Sequence, residues 1–322
     1  MVLTVTLNPI LEHRFCIDKI KIGNPNRTKS ETLTAGGKGI NISRELNCLG
    51  VDNLALTFAG GNNGKMFRRI LAEEKINNVL INTKSETRFS INVLDQDNQK
   101  VTSFFSPNPE ITTEEIKLMK EKFEKIIPNA SIVVFSGSSP SSLTDEFFSY
   151  AINYANSLDK VTILDTYGNH MQSCIDAKPM MIHSNVSEAE NSLGIDLSTD
   201  DKKKEFLLNM YSKGIKFYFL TDGKNNLYSS QYDFLFKVSP PLIDEIDPTG
   251  SGDAFLAGII YGFEKSLIFT DMLKIATALG AANASSMDTC KVSKNILTDY
   301  LDKVKISTIG KNLKIIDDSP QR

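Results

Sequence analysis

The 322-residue chain contains no tryptophan, three histidines, and four cysteines that lie far apart in the sequence. No Cys-x-x-Cys pair is present, and no histidine has a partner at the spacing of a zinc site. A metal site built from protein side chains is therefore not expected. The cysteines are expected to be reduced thiols, as is typical of a cytoplasmic protein.

The sequence also lacks a long apolar run and an excess of charge of one sign. Its formal net charge is -3, and 23% of its residues are charged. No segment approaches the length of a membrane span, and the N-terminal residues alternate as a strand does, unlike a secretory signal. Without a basic surface, nucleic acid and anionic membranes are not expected as partners. We expect a soluble cytoplasmic protein.

Two common nucleotide-binding motifs are absent as well. No glycine is followed at the right spacing by Gly-Lys-Ser/Thr, which excludes a Walker-type phosphate loop. The first predicted strand, residues 2–7, is not followed by Gly-x-Gly-x-x-Gly, which excludes a dinucleotide enzyme of the common type.

What the chain does contain is a regular alternation of strands and helices, which predicts an α/β fold with a mostly parallel central sheet flanked by helices on both faces. We expect one domain, residues 1–322. Two β-rich segments, at about 10–34 and 86–107, are predicted to form a small separate sheet. After a predicted hairpin come three helices, at residues 254–263, 269–287 and 296–304.

A glycine-rich turn at residues 247–258 passes from polar residues directly into an apolar helix. Gly250 and Gly252 flank Ser251 and allow consecutive N–H groups to point at one anion, which the positive end of the helix dipole also favours. A carboxylate such as Asp253 repels an anion there unless it takes a proton from the group that attacks the anion. The pattern therefore indicates phosphoryl transfer, and the alternative is that Asp253 is an ordinary helix cap.

Other polar loops follow the predicted strands. In an open α/β sheet, ligands bind beyond the carboxyl ends of the strands, so these loops should line one cleft that ends at the glycine-rich turn. The loops are at residue 8 and at residues 36–38, 136–138, 165, 185–188 and 221–223.

Five motifs occur in an order that resembles the PfkB family of carbohydrate kinases. They are Thr-Leu-Asn-Pro at residues 6–9, Gly-Gly-Lys-Gly-Ile-Asn at 36–41, Ser-Gly-Ser at 136–138, Asn-x-x-Glu at 185–188 and the turn at 247–253. The resemblance extends over nearly the whole chain and implies a ribokinase-like fold in which the small sheet is a lid. The first motif is similar to that of the 1-phosphofructokinase and tagatose-6-phosphate kinase branch.

The resemblance implies ATP- and Mg²⁺-dependent phosphorylation of a ketohexose monophosphate, either tagatose 6-phosphate or fructose 1-phosphate, to the 1,6-bisphosphate. It also implies a homodimer formed through the lid. A kinase of an unphosphorylated sugar or nucleoside, and a sensor of the same fold that binds these ligands without catalysis, remain alternatives.

Site residues follow from the resemblance position by position. Asp253 is expected to be the base, and the N–H groups of Gly250, Ser251 and Gly252 are expected to hold the transferred phosphoryl group. Lys38 and Arg88 are assigned to the phosphate that the sugar already carries. The expected substrate contacts are Glu12, Gly37, Lys38, Asn41, Arg88 and Ser138. The expected nucleotide contacts are Asn185, Thr221, Gly223, Ser251, Gly252, Ala281 and Asn283, with Asn185 and Glu188 holding Mg²⁺ through water.

The sequence departs from the family pattern at several of these positions. Glu12 stands where the branch usually has aspartate, which leaves the identity of the sugar open. His183 replaces a lysine that is usual near the phosphates and is neutral over much of the physiological pH range. Ser103, Phe105 and Ser139 also differ from the usual residues, so the sugar contacts of the lid are expected to differ.

Overall fold

The computed structural model of the protein describes residues 1–310 and confirms the predicted α/β architecture. Within these residues the main sheet has ten strands, and a second sheet has four. The last twelve residues of the predicted single domain, 311–322, lie outside the described residues. The strands of the main sheet are β1 Val2–Thr6, β4 Asn53–Gly60, β5 Asn78–Thr83, β8 Ile132–Ser136, β9 Val161–Asp165, β10 Met181–Asn185, β11 Phe217–Thr221, β12 Leu227–Gln231, β13 Phe234–Ser239 and β14 Lys305–Gly310.

The order of strands in the main sheet is β14-β13-β12-β11-β10-β9-β8-β1-β4-β5. Neighbours from β5 to β11 pair in parallel, and the pairs from β11 to β14 are antiparallel. The carboxyl ends of the parallel strands therefore meet along one edge, where the polar loops of the sequence come together.

The small sheet has the order β3-β2-β6-β7. Its strands are β2 Ile10–Ile17, β3 Ser30–Gly36, β6 Phe89–Asp95 and β7 Lys100–Phe105. The pair β2 and β6 is parallel, and the outer pairs are antiparallel. A small core of Leu11, Ala35, Ile40 and Phe67 fixes this sheet beside the main one.

Helices cover both faces of the main sheet. The described helices are α1 Lys38–Cys48, α2 Gly61–Glu73, α3 Thr113–Ile126, α4 Ser142–Ser157, α5 Met171–Asp176, α6 Val186–Leu193, α7 Asp200–Ser212, α8 Ser251–Glu264, α9 Phe269–Ala284 and α10 Lys294–Leu301. Alternate residues of β8 point to opposite faces, so that Val133 packs with α3 to α7 while Val134 packs with α1 and α8 to α10.

Several helix boundaries near the C-terminus differ from the sequence prediction. Helix α8 begins at Ser251, three residues before the predicted start at residue 254. Helix α9 ends at Ala284, three residues before the predicted end at residue 287, and the turn that follows leads toward the candidate site. Helix α10 ends at Leu301, and β14 then pairs with β13 as an edge strand that was not predicted. The hydrogen bonds of such a strand come from a distant segment, so its local sequence specifies it weakly.

Glu45 on α1 is fully buried, and its position gives a prediction about stability. One of its carboxylate oxygens accepts from the Val292 N–H at 3.1 Å, and the other has no hydrogen-bond partner. Burial raises the pKa of Glu45 from 4.5 to about 7. The folded protein therefore binds this proton more tightly than the unfolded chain, and the free energy of unfolding falls as the pH rises through that range.

We expect the Glu45→Gln variant to lose this decline, because its amide does not titrate. Relative to the wild type it should gain about 1 to 3 kcal/mol of unfolding free energy above neutral pH, and much less in mild acid. Urea denaturation at several pH values measures the effect, and Glu73→Gln, at an exposed position on α2, is the control. Parallel stability curves for wild type and Glu45→Gln would contradict the prediction.

Candidate active site

The glycine-rich turn lies directly at the start of α8, as the sequence predicted. Gly250 precedes the helix with a φ of 79°, in the left-handed region. A Cβ at this position would lie 2.4 Å from Cγ2 of Thr289, so the position requires glycine for both conformation and space. The N–H of Ser251 donates to the carbonyl of Pro248 at 3.1 Å and closes the turn. The next N–H groups, those of Gly252 and Asp253, belong to the first turn of a helix, where N–H groups have no partner within the helix.

Asp253 is buried at this helix start and is held from the side by α1. The side-chain amide of Asn41 donates to Oδ2 of Asp253 at 2.8 Å. The amide of Asn41 is in turn oriented by Arg44, whose Nη1 donates to Asn41 Oδ1 at 2.8 Å. Arg44 is itself fixed by Nε, which donates to Glu74 at 2.8 Å, and by a bond to the carbonyl of Ala35. Arg44 thus directs the amide donor of Asn41 toward the predicted base.

A network of four further side chains lies beside Asp253. The ammonium of Lys38 contacts Oδ1 of Asp165 at 3.0 Å and Oε1 of Glu188 at 2.7 Å. Nδ1 of His183 lies 3.0 Å from the same oxygen of Asp165, and the imidazole stacks on Phe255 at 5.5 Å between ring centroids. These groups come from the ends of neighbouring strands and the starts of helices, which explains why they meet.

The charges in this network shift the pKa values of its members. Burial, together with the negative charge of Asp165, raises the pKa of Asp253 to about 8, against the opposing effect of Lys38. Burial alone would raise the pKa of Asp165 too, but the ammonium of Lys38 and the hydrogen bond from His183 lower it to about 2. For Lys38, the carboxylates of Asp165 and Glu188 outweigh burial and raise its pKa. A carboxyl with a raised pKa beside an anion site is a suitable proton acceptor.

The small sheet contributes the predicted sugar-contacting groups. Glu12 is buried on β2, where Asn92 Nδ2 lies 3.4 Å from its Oε2, and burial raises its pKa. Its carboxylate rests against Gly36, where a Cβ would lie 2.4 Å from Oε1. Gly37 has a φ of 111° and stands between Gly36 and Lys38, the first residue of α1. The predicted acceptor end of the cleft is thus formed by β2, β3 and α1.

Arg88 and Ser138 are both hydrogen-bonded to Asn8. Nη2 of Arg88 donates to the Asn8 carbonyl at 3.1 Å, and the side-chain amide of Asn8 donates to Ser138 Oγ at 3.0 Å. Nε of Arg88 is buried without a hydrogen-bond partner, and burial lowers the pKa of its guanidinium. A partly buried guanidinium with an unused donor is a fitting contact for an anionic ligand group.

The predicted nucleotide contacts fall into two groups. Oγ1 of Thr221, at the end of β11, lies 3.2 Å from Nε2 of His183. Gly223, two residues later, has a φ of 53°, and no atom lies within 4 Å of a Cβ built there. Ala281 lies on the buried face of α9. Asn283 is fully buried beneath the glycine-rich turn, where its amide donates to the Thr249 carbonyl at 2.9 Å and to Ser251 Oγ at 3.1 Å. Its evident role is to hold the turn.

Asn185 and Glu188 form a capping box at the start of α6. The Glu188 N–H donates to Asn185 Oδ1 at 2.8 Å, and the Asn185 N–H donates to Glu188 Oε2 at 3.0 Å. Among residues 1–310, no group of three or more His, Cys, Asp or Glu side chains is arranged to hold a metal ion directly. Buried Asp165 Oδ2 has no hydrogen-bond partner and, with Glu188, provides oxygen ligands of the kind that hydrated Mg²⁺ prefers.

Sequence reasoning missed three cations of the site. Arg14 contacts the turn at Asp247, Arg44 orients Asn41, and Lys203 lies 3.1 Å from Asp222 beside the predicted nucleotide contacts. Lys203 belongs to a lysine run that resembles a solvated helix surface. Its burial was not evident, because only the pairing of distant segments places the run against β11 and β12.

Comparison with known proteins agrees with this geometry. The family model described as pfkB family carbohydrate kinase matches residues 12–295. The chain belongs to this family. As a member of the pfkB family it is a carbohydrate kinase, which confirms the resemblance found in the sequence motifs. No helix in residues 1–310 is both long and apolar enough to cross a membrane.

Solved structures of phosphofructokinases share the fold. A provisionally assigned phosphofructokinase from Staphylococcus aureus is 25% identical with a TM-score of 0.79, over 96% of this chain and 99% of that chain. A provisionally assigned 1-phosphofructokinase from Thermotoga maritima is 22% identical with a TM-score of 0.90, over 96% and 100% of the two chains. Phosphofructokinase-2 of Escherichia coli in complex with fructose-6-phosphate is 21% identical with a TM-score of 0.85, over 94% and 98%.

Proposed function

We propose that this pfkB family kinase transfers the γ-phosphoryl group of ATP to a hydroxyl of a ketohexose monophosphate, fructose 1-phosphate at C6 or tagatose 6-phosphate at C1. The observation that carries the proposal is the placement of the buried Asp253 carboxylate in the first turn of α8, after the left-handed Gly250. A base and an anion-binding helix start at one point are what in-line phosphoryl transfer needs.

In the proposed reaction Asp253 takes the proton of the attacking hydroxyl while the hydroxyl oxygen bonds to the γ-phosphorus. The bond from the γ-phosphorus to the bridging oxygen breaks, and its electron pair leaves with ADP. The first-turn N–H groups stabilise the charge on the transferred group. Mg²⁺ bound with the nucleotide, held through water by Asn185 and Glu188, would neutralise part of the phosphate charge.

We assign the phosphate that the sugar already carries to Arg88. The support is its buried and unpartnered Nε beside Asn8 and Ser138. Lys38 was predicted to share this phosphate, but its ammonium lies between Asp165 and Glu188, in the network next to Asp253. This position favours a role of Lys38 near the transferred phosphoryl group. The E. coli structure with fructose-6-phosphate is a related fold with a phosphosugar bound, which is consistent with an acceptor of this class.

A panel of acceptors tests the proposal. ADP release with ATP and Mg²⁺ is measured for fructose 1-phosphate, tagatose 6-phosphate, fructose 6-phosphate and their unphosphorylated sugars. We expect one of the first two to give the highest kcat/KM. The Arg88→Met variant should lower that kcat/KM by roughly 10- to 100-fold, because a charged hydrogen bond to phosphate is lost. The matched control is Arg69→Met, which removes an arginine whose side chain is 63% exposed.

Equal turnover of unphosphorylated sugars would instead favour a sugar or nucleoside kinase. ATP hydrolysis above background with every acceptor inert would favour a sensor. Either result contradicts the proposed acceptor class.

We also propose a homodimer that pairs through the small sheet. The support is an apolar outer face on which Phe89 and Phe104 are 38% and 61% exposed, with Ile91 and Val93 partly covered between the strands. An apolar face of this kind is typical of a contact surface. Sedimentation that shows monomer alone at micromolar concentration would contradict the dimer.

A further inference from the structure

Arg14 links the small sheet to the turn that carries the catalytic residues. It lies on β2, and its side chain is 14% exposed. Its Nη2 contacts Oδ2 of Asp247 at 2.5 Å, and its Nη1 donates to the carbonyl of Met287 at 2.8 Å. One guanidinium of the small sheet therefore joins the segment before α8 to the segment after α9, and these two segments flank the catalytic turn.

The contact continues from Asp247 into the turn itself. The second carboxylate oxygen of Asp247, Oδ1, accepts from the Thr249 N–H at 2.9 Å. The Thr249 carbonyl accepts from Asn283, which also donates to Ser251 Oγ. Asp247 thus lies between the cation of the small sheet and the backbone that leads to Gly250. Any change in how Arg14 holds Asp247 is transmitted over a few bonds to the anion-binding N–H groups.

The same guanidinium also lies beside the predicted sugar contact. Residues two apart on a strand share one face, and Glu12 precedes Arg14 by two positions on β2. Nε of Arg14 is 3.7 Å from Oε2 of Glu12. Arg14 therefore lies between two carboxylates, one at the acceptor end of the cleft and one at the catalytic turn. A sugar hydroxyl that hydrogen-bonds to Glu12 therefore changes how strongly Arg14 is attracted to Glu12 relative to Asp247.

The remaining contact between the small sheet and this part of the main domain is open. A cavity of about 130 Å³ lies between the strands of the small sheet and residues 287–291, and Arg14 and Asp247 are part of its lining. Few side chains pack across this cavity. The ion pair between Arg14 and Asp247 therefore has more influence on the position of the small sheet than it would have in a densely packed interface. The pair is also largely shielded from solvent, so salt screens it weakly.

We infer that Arg14 is a positioning residue that couples the acceptor end of the cleft to the anion-binding turn, so that the turn is ordered for transfer when the small sheet is seated on it. This inference rests on the proposed function for its kinetic part. Its structural part, that Arg14 orders the turn, does not depend on which sugar is used.

Two physical effects follow from the loss of Arg14. The carboxylate of Asp247, itself about nine-tenths buried, becomes an unpaired negative charge near the phosphoryl group and opposes its binding in the transition state. The turn also loses a restraint, and a displacement of about 1 Å at a transfer site lowers the rate by roughly 100-fold. Both effects act on the chemical step and leave the nucleotide contacts at Thr221 and Gly223 in place.

The test uses Arg14→Ala, the double variant Arg14→Ala with Asp247→Asn, and the control Lys29→Ala. Lys29 is another cation of the small-sheet segment, exposed and paired with Asp18. Kinetics are measured with the acceptor that gives the highest wild-type turnover. We expect Arg14→Ala to lower kcat by roughly 100-fold with a much smaller loss of ATP affinity, and Lys29→Ala to match the wild type.

Chemical rescue separates a positioning role from a merely structural one. Guanidinium ion, added at concentrations far below those that unfold proteins, should restore a large part of kcat in Arg14→Ala and should not raise kcat in the wild type. The double variant should be more active than Arg14→Ala alone, because the unpaired carboxylate is gone. Unchanged kcat in Arg14→Ala would overturn the inference. A lower kcat that guanidinium ion does not restore, together with a lower melting temperature, would overturn it too.

Hydrogen exchange distinguishes failure of this inference from failure of the proposed function. Without any substrate, amides of residues 246–252 should exchange faster in Arg14→Ala than in the wild type, while those of the control stay unchanged. A wild type that phosphorylates no sugar phosphate contradicts the proposed function and leaves this readout intact. Equal exchange in Arg14→Ala and wild type contradicts the role of Arg14 whatever the acceptor.

Discussion

Replacing Asp253 with asparagine is expected to lower kcat by about 10²- to 10⁴-fold, because a positioned general base typically contributes a factor of this size. Asparagine keeps the shape of the side chain but cannot take a proton. Nucleotide affinity should be nearly unchanged, since the N–H groups at the start of α8 remain in place. Steady-state kinetics together with nucleotide titration measure both quantities. Turnover at the wild-type level would exclude Asp253 as the base.

The pH dependence provides a second check on this assignment. Because burial raises the pKa of Asp253 to about 8 in the ligand-free protein, its carboxyl is mainly protonated below that value. The kcat/KM of the wild type should therefore rise as the pH approaches about 8, well above the range of an ordinary carboxyl. The residual activity of Asp253→Asn should lack this rise. An acidic limb of the wild type near the ordinary value of 3.8 would contradict it.

The same raised pKa has a consequence for stability, with a definite sign. The folded protein binds the proton of Asp253 more tightly than the unfolded chain, so the contribution of this carboxyl to stability falls as the pH rises from 3.8 toward about 8. Asp253→Asn should therefore unfold at a higher temperature than the wild type in mildly alkaline buffer. Such a variant is less active and more stable, which is the pattern expected of a residue that serves catalysis.

Replacing Gly250 with alanine is expected to have the second large effect. The backbone φ of 79° disfavours any side chain, and a Cβ would overlap Thr289 at 2.4 Å, so the turn must move. Because the turn sets the direction of the first N–H groups of α8, kcat should fall by roughly 10²- to 10³-fold, as for loss of a donor to a transition-state anion. Kinetics and thermal denaturation of the variant measure the two parts of the effect.

Gly194→Ala is the matched control for this experiment. Gly194 ends α6 with a similar φ of 64°, and no atom lies within 4 Å of a Cβ built there. Its replacement should cost about 1 kcal/mol of stability through backbone strain and leave kcat unchanged. If Gly250→Ala lost no more activity than Gly194→Ala, the turn would not be the anion site.

The sequence by itself determined the fold class and the family, and it supplied the candidate for the base. Each of these depends on local patterns, namely the alternation of strands and helices, and the passage from glycines into an apolar helix at Asp253. The carboxyl ends of parallel strands lie along one edge of a sheet, so the sequence predicts that the polar loops after β1, β8, β10 and β11 lie close together. These features need no knowledge of side-chain partners.

Only the tertiary structure decided how the charged groups are paired. Lys38 meets Asp165 and Glu188 across 127 and 150 positions, and Arg14 meets Asp247 across 233. The sequence motif of Lys38 indicated the phosphate of the sugar, and no motif contains Arg14. Long cationic side chains have several carboxylates within reach in a closed cleft, and the choice among them depends on burial and exact strand register. That register is a property of the assembled sheets, so the partners of Lys38 and Arg14 were set by the fold.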